Sequence, residues 1–400
     1  MIQTPYYVFD TDEFAKRAAM IRAALDCKGG RRIPLCFSIK ANPFLLHRLP
    51  EGLDHVEVCS PGELEICIAL GVQPESIIYS GVMKEKCDIE RAVSYGAGIL
   101  TCESIRHAAL ISEVMLECMP EGAHETGFVK TKAQVILRLT SGNQFGMSLD
   151  DIEYIISHPD EFKGIAVMGI HYYSGTQKSL RKINKDLEKI KSALTGLKEK
   201  YGFEPQLVEY GPGLCVEYFE DDWQEKEKQS LDEAAEVLRE FAVEYPLGIE
   251  MGRFLAASCG KYYTQVKDLK STGDANYAIL DGGIHHLNYF GQRMAMQVPP
   301  ISIYRAAGVE LTQLPDIDYT LCGSLCTVAD VLVREVKLKK LELGDVLEFG
   351  HCGAYSVTEA PALFLSRQLP AIYAYSKEYG YECLREHIPA AEINLAGKKL

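Results

Sequence analysis

The chain has 400 residues, 47% of them hydrophobic and 24% charged, with a formal net charge of -14. This is ordinary globular composition, long enough for a large domain and a smaller one. The acidic balance argues against nucleic acid and membrane surfaces as partners, no apolar run reaches the roughly 18 residues of a spanning helix, and Met1–Pro5 carries no signal pattern, so a cytoplasmic protein is expected.

Taken in chain order, short apolar segments alternate with longer helical patterns. Strands are predicted at Leu35–Ile39, Val56–Cys59, Ile77–Ser80, Gly98–Cys102, Gln134–Leu139, Ile165–His171, Leu207–Tyr210 and Leu247–Glu250. Helices are predicted between them, among them Gly62–Leu70, Asp88–Tyr95, Ser104–Leu116 and the long Lys178–Tyr201. Repeated strand–helix units imply parallel strands, and about eight of them match a (β/α)8 TIM barrel. Residues 221–240 form a charged stretch, read as a solvated helix face. Beyond about residue 262 the helices drop out. Tyr262–Lys270, Ala275–Asp281, Ile317–Cys322, Glu335–Leu338 and Asp345–Phe349 read as strands of a β-rich domain. The expected division is 1–26, a strand (Tyr6–Phe9) and helix joining the β domain; 27–262, the barrel; and 263–400, the β domain. The 13 cysteines include no C-x-x-C pair, and the nearest pair, Cys322 and Cys326, has no second pair to match it. No metal site is expected, and the thiols suit a reducing compartment.

In such a barrel the chemistry sits at the carboxyl ends of the strands. The first strand runs into Ser38-Ile39-Lys40-Ala41-Asn42. A desolvated lysine there becomes a nucleophilic amine, the property a Schiff-base lysine needs. The second strand holds Glu57 and is followed by Ser60. The sixth ends in His171-Tyr172-Tyr173-Ser174-Gly175, the seventh in Glu209-Tyr210-Gly211-Pro212-Gly213, the eighth in Glu250-Met251-Gly252-Arg253. Glycine turns after strands seven and eight suit phosphate binding by backbone N–H groups. Together these parts suit pyridoxal phosphate: Lys40 on the aldehyde, Gly211, Gly213 and Gly252 on the phosphate, His171 on the ring face, Glu250 on the ring nitrogen. A protonated ring is the better electron sink for loss of CO₂. Taken singly, each residue has a plainer reading: Lys40 reaching solvent, His171 as a core histidine, Glu250 and Arg253 as an ion pair.

The chain resembles the fold type III pyridoxal-phosphate-dependent decarboxylases, the family of diaminopimelate, ornithine and arginine decarboxylases. The resemblance runs from Tyr6–Asp10 to about Leu365. It is carried by Ser38–Asn42, Val58-Cys59-Ser60-Pro61-Gly62-Glu63-Leu64, His171–Gly175, Tyr210–Gly213, Glu250–Arg253, Cys322-Gly323-Ser324-Leu325-Cys326 and Gly353-Ala354-Tyr355. It implies an alanine-racemase-like barrel with a carboxyl-terminal β domain, acting as an amino-acid α-decarboxylase through a Lys40 aldimine and a quinonoid. It also implies that His171 stacks on the ring, that Glu250 pairs with its nitrogen, and that Gly211, Gly213, Gly252 and the Tyr355 hydroxyl bind the phosphate with Ser174 close by. Arg253 would take a substrate carboxylate. Cys326 would protonate the α-carbon, reaching the site from the partner subunit of a homodimer.

Four positions depart from the family pattern. Pro212 replaces a glycine and removes one N–H donor, Met251 replaces a proline, and Gln144 stands where a lysine is common. Thr327 follows Cys326 where diaminopimelate decarboxylases usually carry a Glu that holds the distal amino group. Gln144–Met147, Thr176-Gln177, His285-His286 and Cys326-Thr327 are similar to a subgroup that acts on a glutamyl group carried by an acyl carrier protein. His285-His286 equally suits ordinary surface or interface residues. Two other readings compete. A racemase on the same fold would want Lys and Tyr on opposite faces and an Arg at the ring nitrogen. A non-catalytic homologue would have no chemical need for Lys40, His171, Glu250 and Cys326 together.

Overall fold

The computed structural model describes residues 2–26, 30–118, 132–305 and 310–397. The expected first residue of the barrel, 27, and the chain end, 400, lie outside the described residues. The chain divides into a barrel unit (Arg17–Cys215 and Glu227–Phe254) and a β unit (Met1–Lys16, Val216–Lys226 and Leu255–Leu400).

The barrel closes from β2 (Leu35–Ser38), β3 (His55–Val58), β4 (Ile77–Tyr79), β5 (Ile99–Cys102), β6 (Ala133–Arg138), β7 (Ile165–Tyr173), β8 (Leu207–Gly211) and β9 (Leu247–Met251), all parallel. β1 (Tyr6–Asp10) comes earlier and belongs to the other unit. Every expected barrel strand is present, with ends moved by a residue or two. One shift matters. β2 stops at Ser38, and Lys40 stands in a single 3₁₀ turn, Ile39–Ala41. Inside the barrel, Cys36, Ile78 and Ile136 pack together with Leu207 against them. These come from β2, β4, β6 and β8, the alternate strands that fill one layer of such a barrel. Burying an aliphatic side chain of this size contributes about 1.5–3 kcal/mol.

The crossovers are α1 (Thr11–Leu25), which precedes β2, then α2 (Pro61–Ala69), α3 (Lys86–Tyr95), α4 (Ile105–Glu117), α5 (Leu149–Ser157), α6 (Leu180–Tyr201) and α7 (Trp223–Glu244). Local sequence explains their ends. Ser60 Oγ accepts from Glu63 N–H, Glu63 Oε2 accepts from Cys59 N–H at 2.6 Å, and Pro61 takes the first helical position. Ser60 is thus the N-cap just past the tip of β3, and Glu63 reaches one residue further back, to Cys59. Gly202, at φ +64, ends α6 in the left-handed region. The charged stretch after residue 220 is helical, but it is not a wholly solvated face. Glu227 is buried on it and meets Arg17 at 2.7 Å, with both side chains at most 6% exposed. Arg17 also donates to the Phe254 carbonyl. Arg17→Met is expected to cost about 3–5 kcal/mol by removing one partner of a buried ion pair. Urea unfolding at neutral pH measures this, and an unchanged midpoint would refute the assignment.

The β unit carries a nine-stranded sheet. It comprises β10 (Gly260–Thr272), β11 (Ala275–Leu280), β12 (Ile301–Tyr304), β13 (Asp316–Cys322), β14 (Val331–Lys339), β15 (Val346–Phe349), β16 (Ala371–Ser376) and β17 (Gly380–Arg385), together with β1. β1 lies between β10, antiparallel, and β16, parallel, with Tyr6 opposite Tyr263 and Ala371. The five strands expected here are present, whereas β12, β16 and β17 were not anticipated. β16 directly follows Pro370, which reads as a turn marker, and its identity as a strand depends on pairing with β1 from the far end of the chain. No helix among the described residues is long and apolar enough to cross a membrane.

Candidate active site

β2 and β9 are neighbours in the barrel, and the carboxyl end of β2 lies between β9 and β3. This registers Ser38 beside Glu57 and sets Lys40, one turn on, above both carboxylates. Lys40 Nζ donates to Glu57 Oε2 at 2.8 Å and to Cys59 Sγ at 3.4 Å, and lies 3.6 Å from Glu250 Oε1. Glu250 in turn accepts from Ser38 Oγ at 2.8 Å on one oxygen, and its other oxygen lies 3.0 Å from His171 Nε2. Glu57, Glu250 and His171 are buried, while the Lys40 side chain keeps 35% of its surface exposed.

Burial acts to raise the Glu250 pKa. The Lys40 charge, His171 and the Ser38 bond outweigh it and hold the carboxyl well below its usual range. Glu209, on β8, has no such cation. Burial first, then the Glu250 and Glu57 charges, push its carboxyl well up, which favours the neutral acid. Two carboxyls from adjacent strands are thus driven in opposite directions by what surrounds them. Burial, with Glu250 adding, raises the Tyr173 phenol pKa, against which Lys40 and Arg253 pull down.

Lys40 lines a cavity of about 420 Å³ together with Cys59, Glu103, Arg138, Phe145 and Tyr173. Glu103 is already occupied: Arg138 NH1 donates to it at 2.7 Å and the Gly146 N–H at 3.0 Å. Arg138 lies over the Phe145 ring at 4.9 Å.

Among the residues expected from sequence, Lys40, His171 and Glu250 converge as one cluster. Gly252 abuts it, because a Cβ there would come 3.1 Å from Ala41 Cβ and 3.3 Å from Ser38 Cβ. Arg253 opens the next short helix, Arg253–Ala256. Ser174 lines the same cavity as Lys40. Gly211 and Gly213 follow at the end of β8, where Gly213 (φ +57) lies so close to the Gly175 carbonyl that a Cβ would stand 2.1 Å from it. Cys326, Thr327 and Tyr355 belong to the β unit. Cys326 is exposed, Thr327 Oγ1 accepts from the Ala329 N–H, and Tyr355 has φ +66. His285 and His286 are both buried, with rings 3.8 Å apart, which removes the ordinary surface reading.

Sequence reasoning noted Glu57 without a role and missed the Arg138–Glu103 pair. Arg138 ends the apolar run of β6 as Lys40 follows that of β2, so the same signal was there to be read. Nothing local marks Lys178 or Asp186, which bond to each other at 2.8 Å.

These residues fit pyridoxal phosphate. The barrel offers a half-exposed amine on a cavity wall and a carboxylate held as an anion. Beside them are a buried histidine whose Nδ1 has no hydrogen-bond partner among the described residues, and glycine turns too tight for side chains. Among the described residues no cluster of metal-ligating side chains occurs.

Residues 11–257 match the family model for the pyridoxal-binding domain of pyridoxal-dependent decarboxylases. The L-glutamyl-[BtrI acyl-carrier protein] decarboxylase of Niallia circulans is 27% identical, over 98% of this chain and 93% of its own. The diaminopimelate decarboxylase of Zymomonas mobilis is 25% identical, over 92% of this chain and 86% of its own. In fold, the crystal structure of diaminopimelate decarboxylase from M. jannaschii in complex with L-lysine superposes with a TM-score of 0.82 at 23% identity, covering 99% of this chain and 92% of that one.

Proposed function

This chain belongs to the pyridoxal-dependent decarboxylase family, and from that premise we propose that it removes CO₂ from the α-carbon of an amino acid at the Lys40 cluster. It is a carboxy-lyase that depends on pyridoxal phosphate. The observation that carries the residue assignment is the convergence of Lys40, Glu57, His171 and Glu250 at one end of a closed barrel.

When bound, pyridoxal phosphate supplies an aldehyde for an amino group and an electron sink for the charge left as CO₂ departs. Lys40 would hold the aldehyde carbon, Glu250 the ring nitrogen, His171 the ring face, and Ser174, Gly211, Gly213 and Gly252 the phosphate. Ser38 and His171 orient Glu250 and keep it ionised. Arg253 would bind a substrate carboxylate. Cys326 would hand its thiol proton to the α-carbon of a substrate held by a second copy of the chain, so that the working unit is a homodimer. Its exposure on its own chain supports a role completed by that second copy. The 13 cysteines of the chain, with no C-x-x-C pair, support a reducing compartment such as the cytoplasm.

Cys326→Ala is expected to lower turnover about 100-fold, within the usual reach of a positioned acid, while pyridoxal phosphate stays bound. Mixed in equal amounts with Lys40→Ala, it should recover about a quarter of the active sites, since half the dimers are mixed and each rebuilds one site of two. Unchanged turnover in Cys326→Ala would remove it from the reaction, and no recovery on mixing would remove the shared site.

A second reading, decarboxylation of a glutamyl group tethered to a carrier protein, is favoured by Thr327 and by the cavity wall. Among the described residues that line it, the one carboxylate, Glu103, is taken up by Arg138, so that none of these offers a free acid to a distal ammonium. CO₂ release across meso-diaminopimelate, lysine, ornithine, arginine, glutamate and a glutamyl-carrier protein tests both. Turnover of the carrier-bound substrate alone establishes the second reading, and turnover of a diamino acid refutes it.

A further inference from the structure

Lys178 is one of the most enclosed cations of the barrel unit, its side chain 3% exposed. Lysine is seldom buried unless every one of its donors is used. Here Nζ donates to Asp186 Oδ2 at 2.8 Å, to the Gly211 carbonyl at 2.9 Å and to Ser174 Oγ at 3.1 Å. The Tyr173 and Tyr210 rings flank it, with centroids 5.6 and 5.1 Å from Nζ. Asp186 Oδ2, on α6, also accepts from Ser174 Oγ and the Tyr210 hydroxyl. The backbone of Lys178 is engaged as well: its N–H donates to the Gly213 carbonyl at 2.9 Å. Its Cε fills the space beside Gly213, where a Cβ would stand 2.7 Å from it.

One residue therefore occupies both glycine carbonyls of the Gly211-Pro212-Gly213 turn. This matters because the Gly211–Pro212 peptide has an acceptor and no donor. Left open, that carbonyl would face any bound anion with like polarity. With both carbonyls turned toward Lys178, the acceptors of the turn are spent elsewhere, and the N–H groups that remain are what it can present to an anion.

We propose that Lys178, held by Asp186, is a positioning residue for the cofactor's phosphate: it draws the Gly211 and Gly213 carbonyls aside, so that the turn presents N–H groups to an anion even though Pro212 removes one donor. This rests on the reading of Ser174 and the glycine turn as the phosphate cradle. Lys178 acts through these groups and touches no reacting atom.

The test compares binding of pyridoxal phosphate with binding of pyridoxal, which lacks the phosphate, to protein stripped of cofactor. The visible absorbance of the lysine-bound aldehyde is the readout. In Lys178→Met, which keeps the stem, the Kd for pyridoxal phosphate should rise about tenfold or more, as for loss of charge-assisted hydrogen bonds. The Kd for pyridoxal should stay within about twofold, because Lys40, His171 and Glu250 are untouched. Equal weakening of both ligands would mark Lys178 as merely structural and overturn the inference, as would no weakening of either. If the Met variant does not fold, Lys178→Gln, which keeps an uncharged donor, is read the same way. It should lose the preference for the phosphorylated ligand in part, and a full wild-type preference would overturn the inference. A wild-type protein that gains no visible band with either ligand would instead overturn the assignment of Lys40, a result distinct from all of these.

Discussion

Lys40→Ala is expected to abolish decarboxylation, a loss of at least about 1,000-fold, or roughly 4 kcal/mol of barrier. It is also expected to abolish the visible band of bound pyridoxal phosphate. The amine is the nucleophile, and its neighbours Glu57, Glu250 and Cys59 cannot replace it: the first two are carboxylates, and burial pushes the Cys59 thiol pKa well up. The variant has a second consequence, because Lys40 is the main opponent of burial at Glu250. Without that cation the buried Glu57 and Glu250 carboxylates lose the ammonium that both meet, and the apparent pKa of Glu250 should rise. Lys40→Arg separates the two effects. It keeps the positive charge, so the fold and the ionised Glu250 should survive, but a guanidinium stays protonated and is no nucleophile. Spectroscopy and CO₂ release on both variants decide the matter. A normal visible band in either would end the assignment of Lys40.

Glu250→Gln carries the second large effect. The carboxylate takes Ser38 on one oxygen, meets His171 with the other and lies beside Lys40. An amide keeps the shape but loses the charge, and turns a donor toward one of two neighbours that offer protons. Turnover with saturating cofactor should fall about 100-fold, the scale of losing one preorganised electrostatic contact. The change also has a pH signature. Because the folded-state pKa of Glu250 is depressed, the group binds its proton more readily when unfolded. Its contribution is therefore fully present above the ordinary carboxyl pKa of about 4.3 and is lost as pH falls through the lower folded value. The stability gap between wild type and Glu250→Gln should shrink on acidification. Urea midpoints measured at neutral pH and at successively lower pH values check it, and a gap independent of pH would mean that the charge is not held as described.

The barrel was legible because its signals are local. Eight apolar runs, with helical periods separating them, need no partner to be seen. The same rule exposed Lys40, His171 and Glu250, since a polar or charged residue capping a buried strand stands out in one dimension. The β unit was legible only in part. β1 lies in the sheet between β10 and β16, pairings that span most of the chain, and neither neighbour is written into Tyr6–Asp10.

The sequence by itself determined the class of fold, the cofactor chemistry and the three barrel residues placed around it. Strand period, turn residues and the order of the motifs survive any arrangement in space. Only the tertiary structure decided which charges meet. It set Lys40 against Glu57 as well as Glu250, shifted the Glu209 and Glu250 pKa values in opposite directions, paired Arg17 with Glu227, and enclosed Lys178 among Asp186, Ser174 and Gly211. These are interactions between side chains from different strands and helices. Their distances follow from barrel closure and strand register, and their electrostatic strength from exclusion of water, none of which one chain position specifies.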